Sequence, residues 1–147
     1  MPWMSWSPAG DRLAYFVRTE KERTLIVQNV LTKKIDVRIA MKAVDEPESP
    51  TFSPDGKTIA FAALKGAIGD IYTIDLATGA IANLTNDEFA DSGPTYSPDG
   101  SFIVYNLNLA ACASPTAAHS AWASSAAPGC DTPTTESVIS AEPLPGP

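Results

Sequence analysis

The residues able to do chemistry in this 147-residue chain are few and scattered. Asn86-Asp87-Glu88 and Asp91 bring side-chain oxygens close together, which is what a calcium ion needs. The run lacks the alternating ligands and central glycine of an EF-hand loop. Its Asp side chains equally suit a connecting loop in which they bond to local backbone N–H groups. The loop reading is preferred, and no metal ligand is assigned. His119 stands alone in an Ala/Ser-rich stretch, whereas a nucleophilic triad needs oriented partners. Cys112 and Cys130 lie 18 residues apart in a segment unable to fix their geometry, so two thiols are expected rather than a bridge. Trp3 and Trp6 have the look of a ligand-stacking pair, but Trp6 reads better as a core aromatic. Asn83-Leu84-Thr85 fits the glycosylation triplet yet falls inside a predicted strand. No G-x-S-x-G, G-x-x-x-x-G-K-[ST], H-E-x-x-H or C-x-x-C occurs. The expected catalytic, cofactor-binding and metal-binding sets are each none.

The elements that must position these residues divide near residue 106. All ten bases lie between Arg12 and Lys65; residues 66–147 hold nine acids and no base. The net charge of -7 argues against a nucleic-acid partner and against docking on anionic lipid. No apolar run approaches the roughly 20 residues of a membrane helix, so no membrane insertion is expected. The start, MPWMSWSPAGDRLAYF, shows no basic region followed by an apolar one, so no signal peptide is read there. Residues 107–147 contain ten Ala, six Pro, six Ser and four Thr, with neither a period of 2 nor one of 3.6. That segment is expected to be a low-complexity tail, disordered or produced by a shifted reading frame.

Residues 1–106 repeat. WSPAGDRLAYF (6–16), FSPDGKTIAFA (52–62) and YSPDGSFIVYN (96–106) align without gaps at offsets of 46 and 44. LIVQNVLTKKI (25–35) and IYTIDLATGAI (71–81) keep the offset of 46. In Ser53-Pro54-Asp55-Gly56 the proline suits position i+1 of a type I turn and the glycine i+3. Ser97-Pro98-Asp99-Gly100 is the same, and Ser7-Pro8-Ala9-Gly10 differs only in Ala9. After each turn a strand alternates large and small residues: Leu13 and Tyr15, Ile59 and Phe61, Ile103 and Tyr105 share one face. Trp6, Phe52 and Tyr96 complete the expected blade core. Strands are predicted near 12–17, 24–29, 58–63, 71–75, 81–85 and 102–106. Four short antiparallel strands in about 45 residues make one blade of a β-propeller. The expected fold is therefore all-β: an incomplete β-propeller of four-stranded antiparallel blades, with repeats starting near 4, 50 and 94, then a disordered tail. Phe61 and Tyr105 are expected to lack full cover, because terminal blades have no neighbour on one side.

Aromatic-Ser-Pro-Asp-Gly-Lys-x-[Ile/Leu]-Ala-[Phe/Tyr], and above all LTNDEFADSGPTYSPDG (84–100), resembles the TolB-like, WD-like β-propeller repeat. The resemblance covers residues 4–106, about 2.5 blades. The same repeat occurs in propellers of prolyl-oligopeptidase-type and tricorn-type peptidases. Ala9 for Asp, Met4 for Pro and Pro47 for Asp depart from the pattern, and nothing after Asn106 reads as the expected third strand. The resemblance implies a non-enzymatic protein–protein interaction module, periplasmic or otherwise extracytoplasmic, without cofactor. Its partners would be proteins, or other copies of itself through unpaired blades. The alternative is a gating propeller fragment of a prolyl-oligopeptidase-family serine peptidase lacking its catalytic domain.

Overall fold

The turn and alternation chemistry produces three antiparallel sheets. The structure, a computed structural model, describes residues 3–66, 68–87, 89–109 and 136–144. The first sheet is β1 (Met4–Trp6), β2 (Arg12–Arg18), β3 (Arg23–Asn29) and β4 (Ile35–Ala40), hydrogen-bonded in that order. The second is β5 (Asp45–Phe52), β6 (Thr58–Lys65), β7 (Ile68–Asp75) and β8 (Ile81–Asn83), again in chain order. The third contains β9 (Ala90–Tyr96), β10 (Phe102–Leu109) and β11 (Glu136–Pro143), ordered β11-β10-β9. Among the described residues there is no helix. The sheets form an open, partial propeller.

β5 and β9 hold their prolines, Pro47, Pro50 and Pro94, where proline is tolerated, on a sheet edge. Pro47 and Pro50 lie in β5, whose register slips twice against β6, and Glu46 and Ser49 take positive φ there (42° and 50°). Such irregular edges do not template pairing with another chain.

Two cores lie between the blades, and the alternation decides what enters each. At the first seam Leu25 and Val27 of blade 1 meet Phe52, Ile59, Phe61 and Ile74 of blade 2. The Phe16 ring stands edge-on to Phe61 at 5.6 Å, and Tyr72 stacks on Phe61 at 5.7 Å. At the second seam the small residues Ala60 and Ala62 of blade 2 receive Ile103 and Tyr105 of blade 3. Blades 2 and 3 therefore each pack their isoleucine and aromatic face on the alanine-bearing face of the blade before, Ala14 in blade 1 and Ala60 and Ala62 in blade 2.

That rule corrects the expected core. Phe61 and Tyr105 are fully covered, at 0% and 4% exposure, because each faces a preceding blade. The bare face is that of blade 1, before which no blade stands among the described residues. Trp6, 57% exposed, is not a core residue, and Leu13 and Tyr15 beside it are only half-buried. Tyr96 is also half-buried, with its hydroxyl 3.1 Å from Thr58 Oγ1 across the seam.

β11 is the other departure. The composition of 107–147 reads as a tail, yet β10 runs to Leu109 and residues 136–143 pair with it along its whole length, from Phe102↔Pro143 to Leu109↔Glu136. Ser137-Val138-Ile139-Ser140 supplies β-branched residues, and β10 otherwise presents an open row of backbone groups to be satisfied. The readings of Cys112, His119 and Cys130 lie outside the described residues.

Candidate interaction surface

The three S-P-x-G turns are built alike from side chains that bind their own backbone. Gly10, Gly56 and Gly100 each donate N–H to the carbonyl of Ser7, Ser53 and Ser97 at 2.9 Å, closing the turn. All three glycines sit in the left-handed region, at φ of 72°, 69° and 74°. Each Ser hydroxyl also receives the N–H of the residue five positions on, Arg12, Thr58 and Phe102, at 3.0 Å. In the second and third turns the hydroxyl donates to Asp55 and Asp99 at 2.6 Å. In the first, where Ala9 removes that acceptor, Asp11 takes over at 2.8 Å. One carboxylate is thus conserved in role while moving two positions along the chain.

In the second and third turns these hydrogen bonds hold Asp55 and Asp99 ionised. The Ser97 hydroxyl, then the N–H and hydroxyl of Ser101, pull the Asp99 carboxyl down to about 2. The Ser53 hydroxyl and the Lys57 N–H lower Asp55 in the same way. Burial raises the Tyr96 phenol, with the Asp55 charge adding to it.

Asp55 and Asp99 flank an open cleft of about 600 Å3 between blades 2 and 3, whose walls include Tyr96, Leu84 and Pro54. Arg12 marks the same end of the first seam. Its guanidinium lies 5.6 Å from the Phe52 ring centroid and donates to the Gly56 carbonyl at 3.4 Å. Trp3 does not pair with Trp6 as a platform on the bare sheet face; it lines a smaller cavity of about 150 Å3 with Phe16, Arg18, Arg23 and Glu46. Arg18 and Arg23 both pair with Glu46, and the Arg23 hydrogen bond is the main cause of its lowered pKa.

The acidic loop behaves differently from a simple connecting loop. Asp87 does accept the Phe89 N–H at 2.8 Å, and Asn83 and Asn86 bond to each other. The structure also brings Asp87 and Asp91 against Asp70 of β7, within 4.8 Å between carboxylate oxygens. Asp70 carries no local sequence signal, since it is one acid in a strand of the neighbouring blade. Asn83 donates to Asp70 at 2.8 Å, so the amide of the glycosylation triplet is engaged inside the protein.

Meandering sheets that pack face to face, each opened by an S-P-x-G turn, define a β-propeller of the TolB-repeat class. The chain belongs to the PD40 family of TolB β-propeller domains, matched over residues 1–110. It is 32% identical over 71 residues to the Tol-Pal system protein TolB of Francisella tularensis, covering 48% of this chain and 16% of that one. Among solved structures, TolB from Acinetobacter baumannii superimposes with a TM-score of 0.58 at 27% identity, over 71% of this chain and 26% of that one. The tricorn protease superimposes with a TM-score of 0.58 at 18% identity, over 77% of this chain and 11% of that one. That last likeness shows the fold alone. The chain spans less than a fifth of the curated relatives it matches.

Proposed function

We propose that the chain is a piece of a non-enzymatic protein-recognition propeller, acting outside the cytoplasm, whose binding end is the S-P-D-G turns and the cleft between blades 2 and 3. The observation that carries this reading is the cleft itself. Two carboxylates fixed in the ionised form stand beside a half-buried tyrosine and an apolar wall. That combination suits an extended polypeptide offering basic and aliphatic side chains, with charge setting encounter and the apolar wall setting residence. The test is binding of the purified chain to a peptide array. A selected peptide should bind at least tenfold more weakly to the Asp55→Asn/Asp99→Asn double variant and to Tyr96→Ala. Affinity unchanged by both substitutions would show that the cleft is not the site. Self-association through the bare face of blade 1 is a second partner mode, and Trp6→Ser should abolish any concentration-dependent sedimentation it causes. Fractionation of cells carrying the parent protein tests the compartment; recovery in the cytoplasm refutes it.

The peptidase reading rests on the fold likeness to the tricorn protease. It requires an α/β-hydrolase pattern with a nucleophile elbow in the parent gene, and the gene sequence decides between the two.

A further inference from the structure

The two blade seams are built from equivalent positions and carry opposite charge. At the repeat offset of 46, Arg18, Arg23 and Thr24 correspond to Leu64, Gly69 and Asp70; at the offset of 44, Pro47 corresponds to Asp91. The first seam therefore holds two guanidinium groups on Glu46. The second replaces both arginines with uncharged residues and places carboxylates at the two other positions. Gly69 permits this approach. A Cβ there would stand 3.3 Å from the Asp91 carbonyl oxygen, tighter than ordinary van der Waals contact, so a side chain at this position would push the two strands a few tenths of an ångström apart.

One carboxylate oxygen from each of Asp70, Asp87 and Asp91 lies within 4.8 Å of the other two. Asp70 and Asp91 are only 6% and 3% exposed, while half-buried Asp87 opens the group to solvent. Asp70 Oδ2 accepts from Asn83 at 2.8 Å and from the Tyr72 hydroxyl at 3.5 Å. Asp70 Oδ1 is buried and meets no hydrogen-bond donor among the described residues. A buried carboxylate oxygen without a donor, on a side chain grouped with two further carboxylates, is costly unless a cation or a proton stands among them.

We propose that a hard divalent cation of the calcium type binds between blades 2 and 3 on Asp70, Asp87 and Asp91, replacing the guanidinium groups of the first seam. Oxygens bound to one calcium at about 2.3–2.6 Å lie up to about 5 Å apart, which this group satisfies. The donors are all oxygens and come from a strand, a loop and a second strand, which suits calcium's flexible coordination better than the strict octahedron of magnesium. The ion clamps blade 2 to blade 3, so its removal loosens one wall of the cleft.

The test uses the full 147-residue chain stripped with EDTA. Calcium at about a hundredfold excess over its Kd should raise Tm by about 5–10 °C, with a smaller rise for magnesium. Bound Tb3+ should luminesce on excitation of Tyr72, whose hydroxyl adjoins Asp70, and Tyr72→Phe should weaken that emission while leaving the calcium shift in place. Asp70→Asn and Asp87→Asn should each weaken calcium binding at least tenfold; if the buried Asp70 variant does not fold, the half-buried Asp87 variant carries the test alone. The proposal is overturned if about 10 mM calcium, roughly tenfold above the weak end of protein calcium sites, leaves Tm unmoved. It is equally overturned if both variants respond like the parent, or if acid alone stabilises the seam and calcium adds nothing, which would place a shared proton there.

Discussion

Tyr15 and Phe61 occupy the same position in successive repeats, 46 residues apart, and truncating each to alanine measures what a preceding blade contributes. Phe61 is completely buried, with Phe16 edge-on at 5.6 Å and Tyr72 stacked at 5.7 Å. Phe61→Ala should cost about 3–5 kcal/mol, from lost transfer energy, the cavity left behind and two aromatic contacts. Tyr15 is half-buried on the bare face, beside Met4 and Ile26, and donates to Gln28 Oε1 at 3.1 Å. Tyr15→Ala forfeits part of a side-chain burial and one hydrogen bond, about 1–2 kcal/mol. Urea denaturation reads both as shifts in midpoint at constant m. With m of roughly 1–3 kcal/mol/M, Phe61→Ala should move the midpoint about 1.5 to 5 times as far as Tyr15→Ala. A loss of about 4 kcal/mol approaches the whole stability of a small domain. Ile59→Val, on the same buried face, therefore provides a gentler version at about 0.5–1.5 kcal/mol. Equal costs for Tyr15→Ala and Phe61→Ala would refute the packing rule. A cost for Tyr15→Ala that grows with protein concentration would show the bare face covered by another copy.

The turn glycines give a second comparison. Gly10→Ala meets no atom within 4 Å and should cost about 1 kcal/mol from the left-handed backbone alone. Gly56→Ala also displaces the Arg12 guanidinium, 3.1 Å from its Cβ, and should cost about 0.5–1 kcal/mol more in the same melt. The third prediction concerns acid. The folded pKa of Asp99, about 2 against an ordinary 3.8, means that its turn stabilises fully above about pH 4 and loses that contribution as pH falls toward 2. Ser97→Ala should flatten this part of the stability–pH curve, and a curve unchanged between pH 4 and 2 would contradict the hydrogen-bond origin. Finally, amides in the β10–β11 ladder should exchange slowly, and ending the chain after Leu109 should deprotect 102–109; rapid exchange throughout 136–143 would remove β11 from the sheet.

The strands were legible because two independent signals agreed: a turn chemistry repeated three times and a large–small alternation locked to it. What surrounds a given blade was not legible, since Trp6, Phe52 and Tyr96 read identically while only Phe52 is fully covered. Their burial depends on which neighbour stands against that face, and no window along the chain contains that neighbour. β11 was hidden for another reason. Its few β-branched residues stand inside a long Ala/Ser/Pro-rich segment, and its pairing partner lies some thirty residues away, so composition outweighed pattern.

The acidic site shows both limits at once. Asp87 and Asp91 were visible as a close-set pair, but a loop of that kind ordinarily satisfies itself through backbone N–H groups, and Asp87 does so in part. The third carboxylate, Asp70, comes from the blade before, where the sequence shows only an acid between Gly69 and Ile71. Aligning the repeats exposes Leu64 and Gly69 opposite Arg18 and Arg23, and that exchange can be read without coordinates. Its meaning needs the seam. Only once Gly69 is seen beside the Asp91 backbone does the exchange acquire a place: where the first seam sets Arg18 and Arg23 on Glu46, the second sets Asp70 beside Asp87 and Asp91.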